Sequence, residues 1–271
     1  MSISVRRYRV SSKKPLVVFL ALAIMSFALN ASVPGRPRTG VGQLIADFAA
    51  SYEGKTGPAI DAVFGLEIKG DPDGSWRVQI NPQRKVTLRP GKPETPTFVF
   101  TCDFETLGKI HDGVWNALTA AGQARSSDPA PLDIRFMEGF KPAADTMEKI
   151  FHVLFHFFNT SGPEIIRFGE KNSRFVHGGN AVVIYYARGL RTAWYQLKKG
   201  MVINADEKDQ VNPFPTLFIC TRGEGRGRLG GRDSTLKEGM SVFIPAGMSH
   251  MIWNEKDEPF EGVIIMFGEG A

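Results

Sequence analysis

Residues 239–254, GMSVFIPAGMSHMIWN, constrain the fold of this chain more than any other segment. Gly239 allows a sharp entry into an apolar strand, and Pro245-Ala246-Gly247 makes a tight turn, because proline presets φ and glycine accepts positive φ. The next strand then carries His250 toward one face of a sheet and ends at Asn254. Apolar runs broken by glycine surround this segment, at 181–187, 192–199, 216–223, 225–231 and 262–268. Short strands so evenly spaced argue for a closed barrel or sandwich over residues 178–271.

The spacing G-x5-P-x-G-x2-H-x3-N resembles the second motif of the cupin family at every defined position, from Gly239 through Pro245, Gly247 and His250 to Asn254. The resemblance implies an all-β barrel in which His250 faces inward, and in the family that histidine ligates a metal. The first cupin motif, with its two histidines and glutamate, belongs between Gly200 and Gly223. Counting forward from Gly200 places Asp206 and Lys208 at the histidine positions. Counting back from Gly223 places Thr216 at the glutamate and the histidine pair near Gln210 and Asn212. Iron, manganese or zinc needs at least three good protein donors, and one imidazole does not hold such an ion. The expectation is therefore a barrel without metal or other cofactor. His250 is the weak candidate ligand, with Asp206, Glu207 and Asp209 as carboxylate helpers and His177 just outside the barrel. Without a metal, His250 is a polar anchor in an apolar cavity with Trp194, Phe218, Phe243, Trp253 and Met266.

Upstream, Val41, Leu44, Ile45, Phe48, Ala49 and Tyr52 recur at helical spacing, predicting a helix over 41–53. Period-two alternation then predicts five strands: Phe64/Leu66/Ile68, Trp76/Val78/Ile80, Val86/Leu88, Phe98/Phe100 and Leu132/Ile134/Phe136. Asp71-Pro72-Asp73-Gly74 joins the first two as a hairpin. Residues 103–122 and 143–158 read as helices, and 159–179 as the connection to the barrel. The chain is thus expected to hold an α+β domain, a five-stranded sheet with helices over 41–158, before the barrel.

That order of elements, with Trp76-Arg77-Val78-Gln79-Ile80 and the segment DFETLGKIHDG at 103–113, resembles the sterol carrier protein family of lipid-transfer domains. Residues 123–131 stand as an insertion relative to it. The resemblance implies a noncatalytic tunnel for fatty acyl or sterol-like ligands. Phe98, Phe100, Trp115, Phe136, Phe151 and Phe155 are the candidate lining residues, since apolar pockets are walled by aromatics. His152 and His156 stand four apart on the last helix, but no glutamate lies between them and no third ligand is near, so they are read as ring packing rather than a metal pair. Glu105 and Asp112 read as helix-end acids.

Five cations, Arg6, Arg7, Arg9, Lys13 and Lys14, precede residue 32, where no acid occurs; removing them takes the formal charge of +5 to zero. A neutral remainder excludes a general electrostatic attraction to nucleic acid or an anionic membrane. Those cations, the apolar run 15–29 and the small residues after it form the layout of a secretory signal over 1–31, too short to span a bilayer readily. Export is expected, with no membrane span after cleavage; an uncleaved membrane anchor is the alternative. Cys102 and Cys220 read as buried hydrophobes, and Arg222, Arg226, Arg228 and Arg232 as solvated hairpin arginines.

Together these features predict an exported, two-domain protein that binds a hydrophobic small molecule and pairs as a homodimer through the barrel. The alternative is a metal-dependent cupin oxygenase or isomerase acting on a lipid-like substrate.

Overall fold

The computed structural model describes residues 40–123 and 128–271. The expected secretory signal lies outside them. Among the described residues no helix is long and apolar enough to cross a membrane.

Helix α1 (Val41–Glu53) buries the six apolar residues whose spacing predicts it. Strands β1 (Ala62–Lys69), β2 (Ser75–Ile80), β3 (Val86–Pro90), β4 (Phe98–Asp103) and, later in the chain, β5 (Asp133–Phe136) form one sheet in the order β3-β2-β1-β4-β5. All five predicted strands are present. In the β1–β2 hairpin the Asp73 N–H donates to Asp71 Oδ1 at 2.9 Å. The positive φ falls on Gly70, at 80°, rather than on Gly74. Gly74 is required for a different reason: a Cβ there would lie 2.6 Å from the Ile68 carbonyl oxygen.

The helical stretch after β4 is two helices. In α2 (Phe104–His111), Asp103 Oδ1 accepts the Thr106 N–H at 2.7 Å. In α3 (Ala117–Ala121), Asn116 Oδ1 accepts the Thr119 N–H at 2.8 Å. Both caps satisfy N–H groups that the first turn of a helix leaves without a partner. Helix α4 (Thr146–His152) continues through a π turn at Val153–Phe157, which re-aims its last rings. Phe157 and Phe158, 5.2 Å apart, then meet Phe48, Phe64 and Phe100 at centroid separations of 5.3 to 6.1 Å, largely edge to face. This is the arrangement aromatic quadrupoles favour.

The barrel begins earlier than its sequence texture shows. Strand β6 (Arg174–Val176) lies within the expected connection and pairs with β7 (Gly179–Ala187) through a turn at His177 and Gly178, whose φ values are 54° and 85°. Three residues are too few to display an alternation. The remaining strands are β8 (Leu190–Leu197), β9 (Val202–Ile203), β10 (Thr216–Arg222), β11 (Glu224–Leu229), β12 (Arg232–Lys237), β13 (Ser241–Ile244), β14 (His250–Trp253) and β15 (Phe260–Phe267). They make two facing sheets, ordered β13-β10-β15-β8-β7-β6 and β12-β11-β14-β9.

Residues Thr39–Ala271 form one compact unit. Helix α3 is tied to β7 twice: Asn116 Nδ2 donates to the Val183 carbonyl at 2.8 Å, and the Val183 N–H donates to Thr119 Oγ1 at 2.9 Å. The buried Arg174 guanidinium donates to the carbonyls of Thr119, Ala120 and Gly122, which the end of α3 leaves open. The sheet-and-helix half is therefore hydrogen-bonded directly to the barrel wall. Cys102 and Cys220 are free and buried, and burial pushes their thiols up to about 12 and about 11.

Candidate functional site

Inside the barrel lies a cavity of about 310 Å³. Strand pairing explains its wall. Ala193 on β8, Ile264 on β15 and Phe218 on β10 are direct cross-strand partners and all face in. One step of two residues along, Arg191, Met266 and Thr216 form the next row. On β7 the register shifts between Val183 and Tyr185. Such a bulge reverses the alternation, so Ala181, Val183 and Tyr186 all reach the cavity although the last lies at odd spacing. Thr119, Gly122 and Gln123, from the sheet-and-helix half, complete the wall.

His250 opens β14 and is 4% exposed. Gly239 and Gly247 hold φ of 82° and 79°, and the Met248 N–H closes the turn on the Pro245 carbonyl at 3.2 Å, delivering the histidine inward as its motif predicts. Its backbone N–H donates to the Gln210 carbonyl at 2.8 Å, and its Nδ1 faces the Met248 carbonyl at 3.1 Å. A carbonyl only accepts, so Nδ1 carries the proton and Nε2 keeps its lone pair. Burial, then the nearby His177, holds this imidazole's pKa below its ordinary value, against the opposing pull of the Met248 and Gln210 hydrogen bonds. His250 is accordingly neutral at pH 7. Asn204, buried with a φ of 60°, links the two histidines: its Oδ1 meets His177 Nε2, and its Nδ2 donates to the His250 carbonyl at 3.1 Å. Asn254 is a turn organiser, donating to the Leu197 and Glu258 carbonyls at 2.9 and 2.8 Å.

The first-motif positions carry neutral or solvent-facing groups. Asp206 and Glu207 are exposed, Asp206 capping the short turn Glu207–Asp209. Gln210 contributes its carbonyl to His250. Asn212 lines the cavity and donates to Thr216 Oγ1 at 3.3 Å. His177 and Asp209 share the cavity with His250, yet among the described residues no three His, Cys, Asp or Glu side chains gather as a metal-holding group. At the first-motif positions Gln210, Asn212 and Thr216 put amides and a hydroxyl in place of histidines and a glutamate, and these are poor donors for a transition metal.

Of the barrel residues expected to line the site, Phe218, His250 and Met266 do so. Trp194, Phe243 and Trp253 face away. Trp194 packs with Phe168, centroids 6.1 Å apart; Phe243 is 57% exposed; Trp253 Nε1 donates to Glu255 at 2.8 Å beneath Arg228. Strand alternation accounts for all three: each stands one residue from an inward neighbour, Ala193, Ile244 or Ile252. In the first half, Phe98 and Phe100 are solid core, Phe151 packs on Tyr186 at 5.9 Å, and Phe136 is 47% exposed on an edge strand. Trp115 and Phe155 border only a small pocket of about 80 Å³. Between sheet and helices these rings pack on one another. His152 Nε2 lies 2.8 Å from the Tyr52 hydroxyl, and His156 Nδ1 pairs with Glu164 at 2.8 Å. Arg222 and Arg228 pair with surface acids, Glu258 and Asp233.

Comparison with known families matches residues 194–266 to the cupin domain. This segment is a cupin domain. The match lies wholly within the barrel and does not extend to the sheet-and-helix half, whose sterol-carrier resemblance gains no support from it. Among solved structures, the chain is similar to a Cupin 2 conserved barrel domain protein from Salinispora arenicola, at 18% identity and TM-score 0.34, covering 39% of this chain and 88% of that one. It is also similar to an RmlC-like cupin from Shewanella frigidimarina, at 16% identity and TM-score 0.33 over 38% and 90% of the two chains. A predicted oxalate decarboxylase from Thermotoga maritima is similar at 18% identity and TM-score 0.30, over 33% and 79%. No curated protein matches this sequence.

Proposed function

We propose that this protein binds a small, mainly apolar molecule inside the cupin barrel, and that the sheet-and-helix half serves as part of the cavity wall rather than as the container. The observation that carries this reading is the cavity of about 310 Å³, walled by aliphatic and aromatic side chains with convergent polar groups that include Arg191, Asn204, Lys208, Asn212 and His250. Ligand sites have this composition, and their volumes run from about 300 to 1,000 Å³. The sheet-and-helix half offers instead a core already occupied by its own rings. Binding requires no metal, in keeping with the donor set. Native mass spectrometry of protein from cells tests the reading: a bound apolar small molecule is expected, and Ala193→Phe, which fills the cavity from β8, removes it. Retention of the molecule in that variant overturns the assignment.

Two features of the wider molecule belong to the same proposal. The basic and apolar leader directs export, and N-terminal sequencing of the mature protein locates its cleavage. Phe243 and Phe267, 57% and 38% exposed with centroids 6.5 Å apart on the barrel's outside, provide the apolar patch for pairing with a second copy.

A further inference from the structure

Resting on the reading that the barrel holds an apolar ligand, we infer that this ligand carries a carboxylate, seated on Arg191. Arg191 stands in the wall at the Met266–Thr216 row, paired across strands with Tyr186 and Met266. Its guanidinium carbon lies 5.9 Å from the Tyr186 ring centroid and 5.6 Å from that of Phe214. Contact with two ring faces restrains the flat group while leaving its N–H donors, which lie in the guanidinium plane, directed outward. Of five such donors, one makes a long hydrogen bond of 3.5 Å to the Gly270 carbonyl. Among the described residues no carboxylate stands within ion-pair distance of Arg191. The fork is thus held in place and largely unused.

The other polar groups decide what it takes. A guanidinium fork matches the flat two-oxygen edge of a carboxylate through two parallel N–H···O bonds. Lys208 lines the cavity from an exposed position and adds a second positive charge. His250, Asn204 and Asn212 supply neutral hydrogen bonding, and the aliphatic rows take the ligand's body. The fitting class is a small monocarboxylic acid with an apolar tail or ring.

Isothermal titration of the full chain with octanoate and with octanol, against wild type, Arg191→Gln and Arg191→Lys, tests this. Octanoate is expected to bind wild type about 10- to 100-fold more tightly than it binds Arg191→Gln, the range for losing a charge-assisted hydrogen-bond pair. Octanol affinity should be unchanged by the same substitution, and Arg191→Lys should fall between. Octanol binding as tightly as octanoate in wild type, or octanoate unaffected by Arg191→Gln, overturns the carboxylate inference and leaves the cavity reading standing. Binding of neither probe to wild type overturns both. Unaltered octanol affinity and thermal melts show that the variants are folded.

Discussion

His152 is half-buried against a cluster that disfavours its charge, which makes the stability of the sheet-and-helix half depend on pH in a definite way. Its Nε2 lies 2.8 Å from the Tyr52 hydroxyl, His156 stacks on it with ring centroids 4.4 Å apart, and Arg84, Lys55 and Glu164 stand nearby. Burial first, then the charges of His156, Arg84 and Lys55, lower its pKa from 6.5 to about 4, with Glu164 opposing. In the unfolded chain the imidazole titrates near 6.5. Between those two values the unfolded state therefore binds the extra proton, and stability falls as the pH falls. Above about 6.5 the contribution is fully present. Taken from pH 7.5 to 4.5, the loss is about 1 to 2 kcal/mol, since each pKa unit is worth about 1.4 kcal/mol and solvent screens a part-exposed ring. Urea unfolding followed by circular dichroism at pH 7.5, 6.5, 5.5 and 4.5 measures it. His250, whose pKa is also lowered by burial, contributes a change of the same sign, so the informative quantity is the difference from His152→Gln. Glutamine still accepts from Tyr52 but cannot titrate, and the variant should show a pH dependence shallower by about that amount. Parallel stability curves for the two proteins would refute the argument.

Three further outcomes follow from particular contacts. Phe100→Ala removes a fully buried ring from the aromatic core and should cost about 3 to 5 kcal/mol in the same unfolding assay. Gly178→Ala sets a Cβ 1.9 Å from the Val202 carbonyl oxygen at a φ of 85°, so the β6–β7 turn should distort and the thermal midpoint should drop measurably. His250→Ala should weaken octanol or octanoate binding by titration without altering metal content by elemental analysis, because among the described residues no three ligating side chains gather around it.

Much of this architecture was legible because it rests on periodicities. The stripe on α1, the five strands of the first sheet and the Gly239–Asn254 turn all follow from spacing of two, of 3.6, or of proline and glycine, and each is present. The cavity was only partly legible, for three physical reasons. The same alternation that sends His250 inward sends Trp253 outward, and residues chosen for aromatic size rather than parity fell on the wrong face. The bulge between Val183 and Tyr185 shifts parity on β7 without any glycine or proline to announce it, which hid Tyr186. Arg191 and Asn204 gain their roles from partners distant in sequence, Phe214 for one and His250 for the other. Aromatic abundance in the first half is compatible with tunnel or core, and composition carries nothing of the ring-to-ring packing at 5.2 to 6.1 Å found there.

The central claim is that ligand resides in the barrel rather than between sheet and helices of the first half. Methyl NMR of the protein with bound octanol locates it directly, because a nuclear Overhauser contact requires close approach of ligand and methyl protons. Contacts to Ile203, Ile252, Ile264 and Met266, which line the barrel cavity, are the result this account predicts. Contacts instead to Leu66, Ile68 and Ile80, in the core of the first sheet, would contradict it and return the ligand to a lipid-carrier site.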